Sequence, residues 1–474
     1  MSVLKTDSDV RKKENIASLF DNKLILAVFF AIFLLVNGYL IVVHEPWRDE
    51  VQAWFLAKYK SIPELIEFSR FDGHPILWHL IIMPFAKLGA PIWTMHVISY
   101  ICVSVSAYFF LFKTKLNSIA KIVCLFSIPF LYLYSSVSRN YCLVLLVGML
   151  ICVLYSKRYE HPLMYSLLIT LMIYTHALAW GFVAGLTITF HIYEIILKIM
   201  HKSKFDKKSF MHLIAGFALI VISTFVVVFT LYGSNNPMCV SKDGEYVNKV
   251  VLSMLFLVFA SVAVLFISRF KLWKETVIFV LTMSFMIVVY KWYYSGILFQ
   301  RLLLSQVFLL FFVLIVKSCG KEVKKMITII LTALYFVSFF FNGAISELYS
   351  LIADDINWNY SSGKEMAEYL NSNLPDEKEI LVDGSTFVKS IMPYTDKRFY
   401  DISQGVYKEE TLFDTNDFDA IIKGMKGIGD HSEYKGHYLI CYYQFDSIPY
   451  EEVYRTSNSI MHENFILYYI PDCS

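Results

Sequence analysis

The sequence predicts a polytopic α-helical membrane protein. It has about eleven transmembrane helices, a large first outer loop with juxtamembrane helices, and a small C-terminal extracytoplasmic α/β domain. Three observations predict this. Of 474 residues, 57% are hydrophobic and 17% charged, whereas soluble domains carry about a quarter charged residues. The apolar residues come in nearly charge-free blocks, mostly of about seventeen to twenty-four, the length that crosses a bilayer as helix. Lysines and arginines gather in every second connection between those blocks.

The predicted spans are 24–43, 92–112, 117–134, 141–156, 162–175, 178–197, 209–232, 247–268, 273–290, 301–317 and 325–342. The N-terminal tail carries Arg11, Lys12, Lys13 and Lys23, which places it in the cytoplasm. The basic loops then fall in phase on the same side. They are Lys113, Lys115 and Lys121; Lys157 and Arg158; Lys198, Lys202, Lys204, Lys207 and Lys208; Arg269, Lys271 and Lys274; Lys317, Lys321, Lys324 and Lys325. An odd number of spans puts the C-terminal region outside, beside the loop that contains Asp49.

One segment tests this phase. Residues 76–88 are apolar, and counting them as a span would move every later basic loop outside. At about thirteen residues the segment is short of spanning length. It reads as an interfacial or re-entrant helix, with Pro75 suited to its first turn. The preceding SIPELIEFSRFDG alternates apolar and charged residues and reads as a second interfacial helix. The first span exceeds a signal-peptide apolar core and runs into HEPWRDE with no small-residue cleavage site, so processing is not expected.

After Asn342 the composition turns polar. SGKEMAEYLNSN (362–373) reads as a helix with Ser362 near its N-cap. EILVD (379–383), HYLICYY (437–443) and FILYYI (465–470) read as strands. The region is long enough for a small domain, a lid or a recognition module. Of the eight cysteines, Cys102, Cys124, Cys142 and Cys152 sit in or beside apolar blocks and read as small buried hydrophobes. Cys441 and Cys473 could pair if this region is outside. No CxxC spacing occurs. A net charge of +2 gives nucleic acid no support as a partner.

The polar residues on the outer side do not suit a passive span bundle. The first outer loop opens with His44-Glu45-Pro46-Trp47-Arg48-Asp49-Glu50, three carboxylates at a membrane exit. Asp49 and Glu50 precede VQAWFLAK, so they fall at a helix start, where backbone N–H groups stabilise carboxylates. They are either a solvated helix end or a base held at the membrane surface. Asp72, Gly73, His74 and Pro75 close the loop. Arg139 begins a later span, His176 sits in a short break, and Lys291 and Arg301 flank YYSGILFQ. A single arginine at an outer end often snorkels, and a single histidine is often structural. Collected on one face, the cations suit a phosphate leaving group. A carboxylate facing phosphate-binding cations is what transfer from a lipid-phosphate donor needs.

On these residues the chain resembles the GT-C superfamily of membrane glycosyltransferases, in particular bacterial relatives of protein O-mannosyltransferases and aminoarabinose transferases. Their acidic first-loop motif is matched by Asp49-Glu50. Their His-Pro-Pro or Pro-Pro-Leu motif is matched by His74-Pro75-Ile76-Leu77, their Arg-x-Tyr by Arg139-Asn140-Tyr141, and a late outer arginine by Arg301 before Leu302-Leu303-Leu304. Their C-terminal α/β domain is similar to 346–474. The second proline of the family motif is Ile76 here. The lysine that follows it in protein O-mannosyltransferases is absent, with Trp78 and His79 nearby, which points away from a protein acceptor.

The resemblance implies an inverting, polyprenyl-phosphate-sugar-dependent glycosyltransferase with a lipid or glycan acceptor. Asp49 would be the base, with Glu50 and His74 orienting it or binding acceptor. Arg139, Arg301 and Lys291 would hold the donor phosphate, and His176, Asp72 and Trp78 would line the site. No cofactor is certain, and Glu50 with His176 could hold a divalent metal ion. The rival readings are another lipid-linked envelope glycan enzyme, a polymerase or ligase, and a transporter. No internal repeat or mid-membrane carboxylate supports the last. The Lys, Ile, Asn, Phe and Tyr content points to a bacterial source, and so to a cell-envelope acceptor.

Overall fold

The computed structural model describes residues 23–201, 207–231, 244–290, 298–340, 350, 352–353, 355–357, 360–376, 378–382, 386–402, 405–408, 434–441, 450–459 and 463–472. The protein is a mostly helical membrane protein with a small C-terminal sheet. It divides into two compact units. One comprises Met1–Tyr39, Ser69–Trp78 and Val97–Glu347, the other Leu40–Phe68, His79–His96 and Leu348–Ser474.

Helical structure falls on each predicted span among the described residues, as a bent pair over 117–134. Among the described residues, four helices are long and apolar enough to cross a membrane alone: Lys23–Val43 (α1), Thr94–Lys113, Ala177–Met200 and Lys207–Leu231. The bent pair Ser118–Leu125 and Pro129–Ser136 makes a fifth if counted as one crossing. Its 56° bend has a local cause. Pro129 brings no N–H to the helix ladder, a π turn follows over Pro129–Leu133, and Ser127 Oγ donates to the Cys124 carbonyl at 2.6 Å. Tyr141–Lys157, Pro162–Ile173, Met254–Ile267 and Leu303–Ser318 are shorter apolar helices.

Helix packing in this unit uses small residues. Gly181 and Gly185 lie one turn apart, and each faces the backbone of helix Trp273–Val288. A Cβ on Gly185 would stand 2.6 Å from Ile278 Cα, and one on Gly181 would stand 2.8 Å from Thr282 Cα. Such spacing lets two membrane helices approach backbone to backbone. Several hydroxyls inside the apolar helices turn inward on their own ladders, as Thr282 Oγ1 does to the Ile278 carbonyl at 2.6 Å, which satisfies them without water.

The first loop folds as three short helices. Arg48–Tyr59 (α2) starts after Trp47, Ile62–Asp72 (α3) follows, and Leu77–Lys87 (α4) closes the loop. Eleven residues of helix reach about 16 Å, half of the roughly 30 Å hydrocarbon layer. The segment 76–88 is therefore too short to cross alone.

The second unit is built on a six-stranded sheet of order β3-β2-β1-β4-β6-β5. The strands are Ile380–Val382 (β1), Phe399–Asp401 (β2), Val406–Tyr407 (β3), Tyr438–Cys441 (β4), Glu451–Arg455 (β5) and Ile466–Tyr469 (β6). β1 runs parallel to both β2 and β4, and the outer pairs are antiparallel. Both faces are covered, as parallel strands require. Ile380, Val382, Phe399, Ile440 and Leu467 pack with Met366, Ala367 and Leu370 of helix Gly363–Asn373, and Phe55 of α2 joins this core. Leu381, Leu439, Cys441, Ile466 and Tyr468 form the opposite layer. Cys441 is buried, and Cys473 lies outside the described residues.

Ser362 is the N-cap residue of Gly363–Asn373, as expected, but its side chain does not bond back to the helix. Ser362 Oγ donates to the Ser457 carbonyl instead, at 2.8 Å. Gly363 N donates to Ser361 Oγ at 3.1 Å, and Lys364 N donates to the Glu45 carboxylate at 2.8 Å. A first-loop carboxylate thus caps a helix of the C-terminal region.

Candidate active site

In the second unit, the segment His44–Glu50 is held from both sides of the sequence. Glu50 falls in the first turn of α2, where its Oε2 accepts from Trp47 N at 3.3 Å, the return half of a capping box. The same oxygen lies 2.9 Å from His44 Nε2. His44 Nδ1 in turn lies 2.7 Å from Asp355 Oδ2. One imidazole therefore sits between two carboxylates, with all three side chains fully buried. Tyr360 packs on the His44 ring at 4.6 Å between centroids, and His96 packs at 5.3 Å. Burial alone pulls His44 down, but Asp355 and Glu50 outweigh it and raise it to about 10.

A second buried layer surrounds this one. Arg48 N donates to Glu463 Oε1 at 3.0 Å, and Ser361 Oγ donates to Glu463 Oε2 at 2.7 Å. Burial pushes Glu463 up to about 7, against the lowering effect of those donors. Burial pushes Glu45 up to about 8, opposed by the Lys364 N–H. Asp49 differs from its neighbours. Its side chain is 29% exposed, with Arg48 Nε 3.3 Å from Oδ1, and it sits in the first turn of α2. Of the carboxylates in HEPWRDE, Glu45 and Glu50 are buried and Asp49 is the accessible one.

Donor atoms of His44, Glu50 and His96 all lie within 4.8 Å of one another, close enough to hold a metal ion. His96 Nδ1 is 4.0 Å from Glu50 Oε1.

In the first unit, a different set of expected residues comes together. His74 meets His176 edge-on at 4.9 Å, and His176 stacks on Tyr141 at 5.6 Å. Asn140 Nδ2 donates to the Thr175 carbonyl at 2.8 Å, so Arg139-Asn140-Tyr141 is tied to the His176 break. Arg139 is half-buried in the bend that precedes helix Tyr141–Leu154. Gln306 Nε2 donates to the Tyr141 carbonyl at 3.1 Å. Gln306 lies on helix Leu298–Ser318, whose first turn carries Arg301.

Asp72 is the last residue of α3. Trp78 is the second residue of α4 and is buried. Lys291 lies outside the described residues. The pair expected to share an ion, Glu50 and His176, fall in different units, each with its own partners. Sequence reasoning missed His44, His96, Asp355 and Glu463 as parts of the first-loop cluster. His44 stood in the motif already singled out. His96 looked like any polar residue at a span's end, and Asp355 and Glu463 lie in stretches without periodicity.

No family model matches the sequence, and no curated protein matches it by sequence. Among solved structures, the chain is similar to ArnT from Cupriavidus metallidurans, a structure described as bound to undecaprenyl phosphate. The TM-score is 0.45 and the identity 9%, over 93% of this chain and 97% of that one.

Proposed function

We propose that this protein is an inverting glycosyltransferase. It moves a sugar from a polyprenyl-phosphate-sugar donor to an envelope lipid, glycan or polymer acceptor on the outer face of a bacterial membrane. Residues 1–23 form a cytoplasmic tail, 24–345 the transferase module with outer loop 44–91, and 346–474 an extracytoplasmic domain.

The observation that carries this reading is the contrast between Asp49 and Glu50. A general base must be within reach of its proton. Asp49 is partly exposed at the head of α2, whereas Glu50 is fully buried against His44. In this reading Asp49 takes the proton from the acceptor hydroxyl as its oxygen attacks the anomeric carbon. The bond from that carbon to the lipid-phosphate oxygen breaks on the opposite face, which inverts the centre. The departing phosphate keeps the electron pair, and its charge is met by Arg139, Arg301 and Lys291. Such a leaving group needs no acid, unlike the alkoxide of glycoside hydrolysis. Glu50 acts through the start of α2, keeping Asp49 in place. His74 and His176 line the sugar or acceptor side with Asp72 and Trp78.

The test is sugar transfer in nanodiscs, measured beside donor-lipid binding, for D49N and E50Q. Asn keeps the size of Asp but cannot take a proton. D49N should bind donor and lose roughly 10²–10⁴ in turnover, the usual worth of a positioned base. Turnover near wild type in D49N, with E50Q inactive yet still binding donor, would reverse the two roles.

A further inference from the structure

We propose that His44, Glu50 and His96 are the protein ligands of a divalent transition-metal ion, zinc by its donor preference, with Asp355 the carboxylate that orients His44. The site rests on the first-loop cluster alone and stands whether or not the transfer reading does.

Two independent features point to a metal. The first is the donor set. Two imidazoles and one carboxylate, with donor atoms mutually within 4.8 Å, are a three-ligand set found in zinc enzymes. Imidazole nitrogen selects zinc, copper, iron or nickel over magnesium and calcium, which prefer oxygen. Ligands 2.0–2.2 Å from a tetrahedral ion stand about 3.3–3.5 Å apart. Glu50 Oε2 lies 2.9 Å from His44 Nε2 and Glu50 Oε1 lies 4.0 Å from His96 Nδ1, so each carboxylate oxygen faces one ring.

The second feature is the outer partner. A metal-bound histidine almost always donates its other ring N–H to a carboxylate or carbonyl. His44 presents Nε2 to Glu50 and holds Nδ1 2.7 Å from Asp355. That fixes the tautomer with Nε2 directed at the ion. All four residues are buried, and Tyr360 covers the His44 ring. Three protein ligands would leave the fourth tetrahedral position to a water molecule. The ion would join the head of α2, the start of helix Thr94–Lys113 and the segment around Asp355. The opposing account is an internal ion pair, in which a proton on Nε2 takes the place of the metal.

Binding of metal by the full-length chain separates the two. The protein is purified in detergent through a tag without histidine, stripped with chelator and dialysed. Zn²⁺ is titrated against a chromogenic chelator, and Co²⁺ by its visible spectrum. The expected result is one tight equivalent with a tetrahedral Co²⁺ spectrum. His96→Ala should lose that spectrum, and Asp355→Asn should weaken affinity 10–100-fold, the usual cost of losing an outer partner. Stripped wild-type protein that is monodisperse yet takes up no stoichiometric Zn²⁺ overturns the proposal. So does a Co²⁺ spectrum unchanged in both variants. Sugar transfer enters neither readout, so failure here leaves the transfer reading to its own test.

Discussion

Glu463 is the residue where burial and function are easiest to pull apart. Its carboxyl is fully buried and raised from 4.5 to about 7. Below pH 4.5 folded and unfolded chains both hold the proton. Between 4.5 and about 7 only the folded chain does, so stability falls as pH rises through that window and stays at the lower level above it. Each unit of separation is worth about 1.4 kcal/mol. Glu463→Gln keeps one oxygen to accept from Arg48 N, turns its amide NH2 as a donor toward Ser361 Oγ, and carries no charge. It should unfold later than wild type at pH 8 and show a flatter profile from pH 5 to 7. Thermal midpoints in detergent across that range check this, and parallel profiles for the two chains would remove Glu463 as their source. At this scale the sequence told only part. Asp49 and Glu50 were legible as a pair at a helix start, because first-turn acids have a local reason. That Glu50 would be locked away and Asp49 left accessible was not legible. The lock is His44 and Asp355, which are 311 positions apart.

Elements were more readable where their period was long. Each predicted span falls on helical structure, broken over 117–134, since long apolar runs leave little else to form in a bilayer. The helix at 363–373 and strands β1, β4 and β6 also announced themselves. β2, β3 and β5 did not, because two or three residues, or five mostly polar ones, show no usable alternation. The tight crossing at Gly181 and Gly185 was written in the sequence as WGFVAG but carries no partner in its pattern. It makes a prediction of its own. Gly185→Leu drives a side chain toward Ile278 Cα, against a backbone that must move. Overpacking of this kind costs about 1–3 kcal/mol. The variant should unfold several degrees below wild type, while Ala184→Leu, one position round the helix and exposed, should not. Equal midpoints for the two variants would show that the helices do not cross there.

At the scale of the whole molecule, the charge pattern makes the prediction. The proposed topology, read from basic loops in phase, has 157–158 in the cytoplasm and the C-terminal domain outside. Ser156 and Asp376 are both exposed. In intact cells a cysteine at 376 should react with a membrane-impermeant maleimide, and one at 156 should react only after lysis. Equal labelling before lysis would break the proposed phase, with the short helix α4 the first place to look for a miscounted crossing.

The reciprocal capping of first loop and C-terminal region has a consequence in time. His44 waits for Asp355, Glu45 for Lys364, and Arg48 for Glu463, across 311, 319 and 415 positions. At about 5–20 residues per second, the ribosome needs roughly 15–60 s to deliver even the first of these partners. The loop therefore leaves the translocon with His44, Glu45 and Arg48 without these distant partners, and it remains unfinished until residues 355–463 emerge. A nascent chain stalled before Asp355 should contain inserted helices and an unassembled loop, open to proteolysis between 44 and 60. Completion of the loop is then a late event of biogenesis, long after its own residues are made.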